Sequence, residues 1–396
     1  MISISRLYCG TIKPSDVLRY GRESKKLPSH LLHFSQDKKP VIVYNCTQRC
    51  NLKCVHCYSH SSSDSLCQNE LTTAEAKAFI EDIAAFGSPV ILFSGGEPLM
   101  RPDIFELIDH ACAQGLRAVL STNGTLITEK TVKKLKTANI SYVGISLDGI
   151  EGTNDAFRGV PGAFDRALSG IRNCIQEGIK VGLRFTINKR NASEIEPIFR
   201  LLEDENIPRV CFYHLVYSGR GTQLIDEALP LESTRRIVDQ ILDLTRDLHQ
   251  RGLPKEVLTV DNHCDGPYTY LRMLRNQDPL ADDVYQLLQY NGGNSSGIGI
   301  GCVSWDGSVH PDQFWRHYTF GNVRDRKFSQ IWTDTSDVLM AKLKDRKPHL
   351  KGRCAQCKWL NICNGNFRVR AEAKTGDLWA CDPACYLTDQ EIGIAE

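Results

Sequence analysis

The chain has 396 residues and is almost charge-neutral, with 48 Lys plus Arg against 47 Asp plus Glu, which excludes a surface built to coat a polyanion such as nucleic acid. Hydrophobic residues make up 41%, enough for a sizeable core, yet no run approaches the roughly 18 uninterrupted apolar residues of a membrane span. Sixteen cysteines with no basic-then-apolar leader at the N-terminus point to a cytoplasmic protein whose reduced thiols serve metal ligation rather than bridging.

Taken in chain order, residues 1–40 form a basic arm. Arg6, Lys13, Arg19, Arg22, Lys25, Lys26, Lys38 and Lys39 stand there against Asp16, Glu23 and Asp37, with His30 and His33 nearby. From 41 to 217, short apolar runs alternate with amphipathic helical stretches. The runs are Val41–Tyr44, Val90–Phe93, Ala118–Leu120, Tyr142–Leu147, Val181–Ile187 and Val210–Val216, β-branched or aromatic as buried parallel strands should be. Thr72–Phe86 reads as a helix with Thr73 as cap and Gly87 as stop, and Pro102–Gln114 as another that closes at Gly115. Six such units give an α/β fold, a partial (β/α)6 TIM-like barrel, with an open doubly wound sheet as the alternative. Residues 218–296 read as a helical connector, including Leu231–Gln250 and Tyr268–Tyr290, and end in the Gly/Asn/Ser linker at 291–297. Residues 297–396 carry a hairpin-like turn around Trp305–Val309 and then a cysteine-rich tail.

Five cysteines lie between Cys46 and Cys67 and five between Cys354 and Cys385, which predicts two cysteine-lined sites. The first, Cys50-Asn-Leu-Lys-Cys54-Val-His-Cys57, follows the first strand, at the face where α/β barrels gather their active sites. Three thiolates can hold three irons of a [4Fe–4S] cube and leave the fourth open. A zinc knuckle completed by His56, His60 or Cys46 is the alternative on spacing alone. The following strands run into Ser94-Gly-Gly-Glu-Pro98, Ser121-Thr-Asn-Gly124 and Ser146-Leu-Asp-Gly149, all at the same end of the barrel. Cys46 and Cys67 lie outside the motif and read as ordinary buried small residues.

C-x3-C-x2-C after strand one, with Tyr58 following, then GGEP after strand two, resembles the radical S-adenosylmethionine (SAM) enzymes. The resemblance implies that Cys50, Cys54 and Cys57 hold a [4Fe–4S] cluster whose open iron chelates the SAM amino and carboxylate groups. It implies Gly95, Gly96 and Glu97 for the methionyl amine, Ser146 for the ribose or carboxylate, and Thr186 or Asn188 for the adenosyl part. Arg158 is a further candidate for the carboxylate, against a reading as a surface salt bridge. It also implies an electron donor of the ferredoxin or flavodoxin type. The chemistry implied is reductive cleavage of the sulfonium to methionine and a 5′-deoxyadenosyl radical that takes hydrogen from carbon.

The second cluster is Cys354-Ala-Gln-Cys357-Lys-Trp-Leu-Asn-Ile-Cys363, followed by Cys381-Asp-Pro-Ala-Cys385. Four thiolates suit either a closed zinc or a complete Fe–S cube. Beside the first motif, this pattern resembles the SPASM auxiliary-cluster domain, which implies a C-terminal Fe–S auxiliary-cluster domain. Cys354, Cys357, Cys363 and Cys385 are then the ligands, with Cys381 competing for the fourth place. Two positions depart from the family pattern, Phe367 and Asp312 standing where it has cysteine, which leaves Cys302 isolated. The expectation is one auxiliary cluster, and so two [4Fe–4S] clusters plus SAM.

Charge alone leaves the arm as a solvated docking segment or as a receiver of carboxylates. A finer resemblance bears on this choice. The opening Met1–Gly10, Leu18-Arg-Tyr-Gly-Arg22, Leu27–His30, Thr259-Val-Asp-Asn262 through Asp265-Gly266, and His310-Pro-Asp-Gln-Phe-Trp315 resemble radical SAM enzymes of siroheme-dependent haem and haem d1 formation. That group implies an iron tetrapyrrole substrate bearing several carboxylates, and the resemblance is strongest to members that remove acetate side chains. Tyr213, His214 and Tyr217 at the far strand ends suit such a ligand. Relatives that replace or decarboxylate propionates, SPASM peptide-modifying enzymes, and a non-catalytic metal scaffold are the alternatives.

Overall fold

The computed structural model of the chain describes residues 1–11, 39–65 and 69–394. Most of the basic arm, Arg19, Arg22, His30 and His33 included, and Cys67 lie outside the described residues.

Ten strands make one open sheet: β1 (Ile2–Ser3), β2 (Val41–Thr47), β3 (Val90–Gly95), β4 (Arg117–Thr122), β5 (Tyr142–Ser146), β6 (Val181–Ile187), β7 (Arg209–His214), β8 (Glu256–Val260), β9 (Ile300–Val303) and β10 (Val309–His310). β2 to β8 pair in sequence order and all in parallel, the arrangement of a barrel that does not close. β9 adds in parallel outside β2 and turns back through β10, while β1 caps β8 antiparallel. The six expected strands are β2 to β7. The seventh, β8, falls within the stretch read as helical, because Glu256–Val260 is a single strand set between helices Leu231–Gln250 and Asp265–Arg275.

Local chemistry explains the helix ends. Helix Thr73–Phe86 is capped by Thr72, not Thr73: the Thr72 hydroxyl accepts from the Glu75 amide while Glu75 reaches back to Thr72, a reciprocal capping box. Thr73 instead donates to Asp103 Oδ2 at 2.7 Å. Gly87 ends the helix in the left-handed region at φ 95°.

Strand alternation sorts the barrel into two faces. Ile145, Phe185, Ile187 and Phe212 are buried against the outer helices, with Phe199 of helix Ile195–Asp204 stacked on Phe212 at 5.7 Å. Their neighbours Ser146, Arg184, Thr186 and Tyr213 point the other way and keep partial exposure. The inner face is therefore polar and accessible, whereas the outer one is a hydrocarbon core. The C-terminal region is stitched to the barrel mouth by Arg370. Its guanidinium pairs with Asp382, both fully buried, and donates to the carbonyls of Leu215 and Asp261 just past β7 and β8. Among the described residues, no helix is long and apolar enough to cross a membrane.

Candidate active site and metal centres

The segment after β2 holds Cys50, Cys54 and Cys57 together in one small cluster with Leu52 and Ala163. Each sulfur has a polar neighbour. Cys50 accepts from the Leu52 amide at 3.4 Å and from Asn123 Nδ2 at 3.9 Å, Cys54 accepts from Arg158 Nη1 at 3.6 Å, and Cys57 lies 3.2 Å from the Ser59 hydroxyl. Burial pushes the Cys50 thiol up to about 12 and raises Cys54, so deprotonating this loop requires the compensation that metal ligation supplies. Arg220 holds the loop down, donating to the carbonyls of Cys54 and Ser61 and, through its amide, to that of Cys57.

None of the residues weighed for a tetrahedral fourth place is turned to the thiols. His56 Nε2 faces Asp148 at 3.2 Å, Cys46 donates to the Ser94 carbonyl at 3.3 Å, and His60 is exposed. Among the described residues, no three His, Cys, Asp or Glu side chains are grouped to hold a single metal ion. Three donor-supported thiols without a fourth ligand fit a cube with one open iron.

The GGEP segment is pressed onto this loop. A Cβ on Gly96 would lie 2.0 Å from the Arg49 carbonyl oxygen, and one on Gly95 2.4 Å from that of Thr47, so only glycine permits the approach. The Gly96 and Glu97 amides donate to those same carbonyls. Glu97 is fully buried, and its carboxylate accepts from the Thr122 hydroxyl and from the amides of Asn123 and Leu99. A carboxylate offers about four acceptor positions, so room for one more donor remains. Burial, only partly offset by these bonds, holds its pKa up at about 6.

Ser146 and Thr186 lie on the inner face at the strand ends, as a ring of contacts requires. The Thr186 amide donates to Asp148 Oδ1 at 2.7 Å. The Asn188 side chain is used locally, donating to the Thr186 carbonyl and accepting from the Arg190 amide, which favours Thr186 as the ligand contact. Arg158 is buried, not a surface bridge: it pairs with Asp148 and touches the Cys54 sulfur. Asp148 thus joins His56, Arg158 and β6. Within the tripeptide Leu147-Asp148-Gly149 the sequence gave no sign of that role.

The second centre is a cavity lined by Cys354, Cys357, Cys363, Cys381, Cys385 and Cys264. A hydrogen bond with Cys264 pulls the Cys385 thiol below its ordinary value, whereas burial raises Cys354, Cys357 and Cys363. Cys381, also on the cavity wall, donates to the Lys351 carbonyl at 3.4 Å. Cys264 is fully buried and was not weighed as a ligand in the sequence because it stands 90 residues before Cys354, inside the stretch Thr259–Gly266 and apart from the other cysteines. Where a further auxiliary cluster would need cysteine, Phe367 packs against Phe314 and His263, and Asp312 accepts from Ser296 and from the amides of Phe314 and Trp315. Cys302 is buried and accepts from Asn45 Nδ2 at 3.3 Å.

Comparison with known proteins agrees with this geometry. The radical SAM superfamily pattern matches residues 44–202, and that of the SPASM iron-sulfur cluster-binding domain matches residues 300–358. The chain is 66% identical to Fe-coproporphyrin III synthase of Methanosarcina barkeri, covering 100% of both chains. It is 44% identical to pre-heme d1 synthase of Dinoroseobacter shibae over 90% of this chain and 88% of that one. Among solved structures, Streptococcus suis SuiB bound to its precursor peptide SuiA superposes with a TM-score of 0.72 at 19% identity, covering 88% of this chain and 76% of that one, a likeness of fold.

Proposed function

The chain belongs to the radical SAM superfamily, and from that premise we propose that it removes the two acetate side chains of 12,18-didecarboxysiroheme to give Fe-coproporphyrin III in siroheme-dependent haem biosynthesis. The observation that carries this reading is the end-to-end likeness to Fe-coproporphyrin III synthase. The polar inner face of the barrel supports it, because a multiply charged macrocycle edge needs donors rather than hydrocarbon.

When bound, the reduced cluster and SAM supply a 5′-deoxyadenosyl radical. The chain's own residues hold and orient. Cys50, Cys54 and Cys57 ligate three irons, and Arg158 and Asn123 place donors on their sulfurs. Gly95, Gly96 and Glu97 receive the methionyl amine, Ser146 and Arg158 the carboxylate or ribose, and Thr186 the adenosyl part. Cys354, Cys357, Cys363 and Cys385 hold one auxiliary [4Fe–4S] cluster, since aromatic packing around Phe367 fills the place of another. The partner is an electron donor of the ferredoxin or flavodoxin type in the cytoplasm.

Anaerobic incubation of reconstituted protein with 12,18-didecarboxysiroheme, SAM and dithionite tests the reading by mass spectrometry of the tetrapyrrole. Fe-coproporphyrin III is expected. Product that keeps both acetates while its propionates change would place the chain with the other tetrapyrrole enzymes instead.

A further inference from the structure

The inner face of the barrel carries a cation that pairs with no carboxylate among the described residues. Arg184 lies on β6, directly in register with Ser146 of β5, and reaches across to β4, where its Nη1 donates to Ser121 Oγ at 2.6 Å. Gly144 of β5 makes room: a Cβ there would stand 2.4 Å from Arg184 Nε. The titratable groups that act most strongly on the guanidinium are Tyr213, Tyr142, Cys211 and Arg209, none of them a carboxylate. Buried Arg346 and Arg368, which form no ion pair among the described residues, each spend several donors on main-chain carbonyls or Asn294, whereas Arg184 has one hydroxyl. The other enclosed arginines are neutralised. Arg158 meets Asp148, Arg101 meets Asp103 and Arg370 meets Asp382, while Arg209, deeper in the barrel, has Glu256 at 3.6 Å.

A half-buried guanidinium is only partly hydrated, and one hydroxyl uses a single N–H of its five. The unspent donors face the accessible interior of the barrel, where an anionic ligand can meet them. We propose that Arg184 anchors a side-chain carboxylate of the tetrapyrrole substrate, an inference that rests on the reading given under Proposed function. The guanidinium lies one pleat below Thr186, so the carboxylate it holds belongs to the molecule inside the barrel rather than to SAM across the strand ends. Its planar fork matches a carboxylate with two parallel bonds, and Ser121 fixes its orientation beforehand. Arg184 is then a positioning residue: it decides which edge of the macrocycle enters, and it selects for an acid over a neutral side chain.

The test compares wild-type protein with Arg184→Gln and Arg184→Lys, each reconstituted anaerobically and matched for iron content. The probes are Fe-coproporphyrin III and its tetramethyl ester, titrated by difference absorbance, with SAM binding measured in parallel. Arg184→Gln should weaken the acid by about 10- to 150-fold and leave the ester and SAM unchanged. Arg184→Lys should recover part of the loss, since it keeps the charge but not the fork. If Arg184→Gln does not fold, Arg184→Lys decides alone, by a smaller loss for the acid with none for the ester. Equal acid binding in wild type and variants overturns the inference, as does a loss of SAM binding, which would assign the guanidinium to SAM. Wild-type protein that binds neither probe would instead defeat the tetrapyrrole reading itself.

Discussion

Replacing Cys385 and Cys381 separately by alanine distinguishes a cluster ligand from a bystander in the C-terminal centre. Cys385 lines the cavity with Cys354, Cys357 and Cys363, on a turn that Asp382 holds by accepting from the amides of Ala384 and Phe367. On the proposed assignment, removing it takes one of four ligands from the auxiliary cube. Iron should fall by half, from about eight to about four per chain, with the open cluster retained. Stability should fall as well, because the binding energy of a metal site is also folding energy. Cys381→Ala removes only a thiol that donates to the Lys351 carbonyl, a contact worth under about 1 kcal/mol, so iron should stay at about eight. Iron and sulfide analysis with EPR of the reduced protein reads both outcomes. Cys264 lies against Cys385, so the double variant Cys264→Ala/Cys385→Ala controls for a thiol that steps in. Half the iron lost in Cys381→Ala and none in Cys385→Ala would refute the assignment.

Two further outcomes concern the first centre. Cys54→Ala should abolish SAM cleavage while about half the iron remains, since the open cube loses one of its three ligands; 5′-deoxyadenosine formed by this variant would show that the loop is misassigned. Glu97 should make SAM binding pH-dependent. Its carboxyl is held up at about 6, and only the ionised form accepts fully from the methionyl amine, so affinity should rise about tenfold from pH 5 to pH 7. Glu97→Gln should bind more weakly and flatten that rise in equilibrium dialysis. A variant as pH-dependent as wild type would assign the titration elsewhere.

What the sequence made legible was local. Cys50, Cys54, Cys57 and the GGEP segment are contiguous, and the contacts that bring them together, Gly96 against Arg49 and Glu97 against Thr122, are made between loops that follow neighbouring strands. The six strands β2 to β7 were readable because apolar runs and amphipathic helices alternate regularly along them. β8 was not, since it stands alone between helices, where that alternation is broken. Arg184 was hidden for a different reason. In Val181–Ile187 it is one polar residue in an apolar run, and nothing local says that the face it points to lacks a carboxylate. Cys264 and Asp148 likewise gain meaning only from partners far along the chain.

Phe367 and Asp312 give the sharpest contrast between pattern and packing. Changing both to cysteine would restore the spacing expected of a second auxiliary cluster beside Cys302. The structure argues that no cluster follows. Phe367 is buried in a core with Trp315, Leu350, Val369 and Trp379, and its ring meets Phe314 at 5.8 Å, so aromatic side chains fill the volume. Asp312 is an anchor as well: buried, it accepts from Ser296 and from the amides of Phe314 and Trp315, and cysteine cannot replace those charge-assisted bonds. Phe→Cys in a packed core costs roughly 3–5 kcal/mol if it behaves as a large-to-small truncation, and the orphaned amides add to that. The double variant should therefore melt well below wild type and still carry about eight irons after anaerobic reconstitution. About twelve irons at an unchanged melting temperature would mean that the aromatic core had merely been covering a competent site.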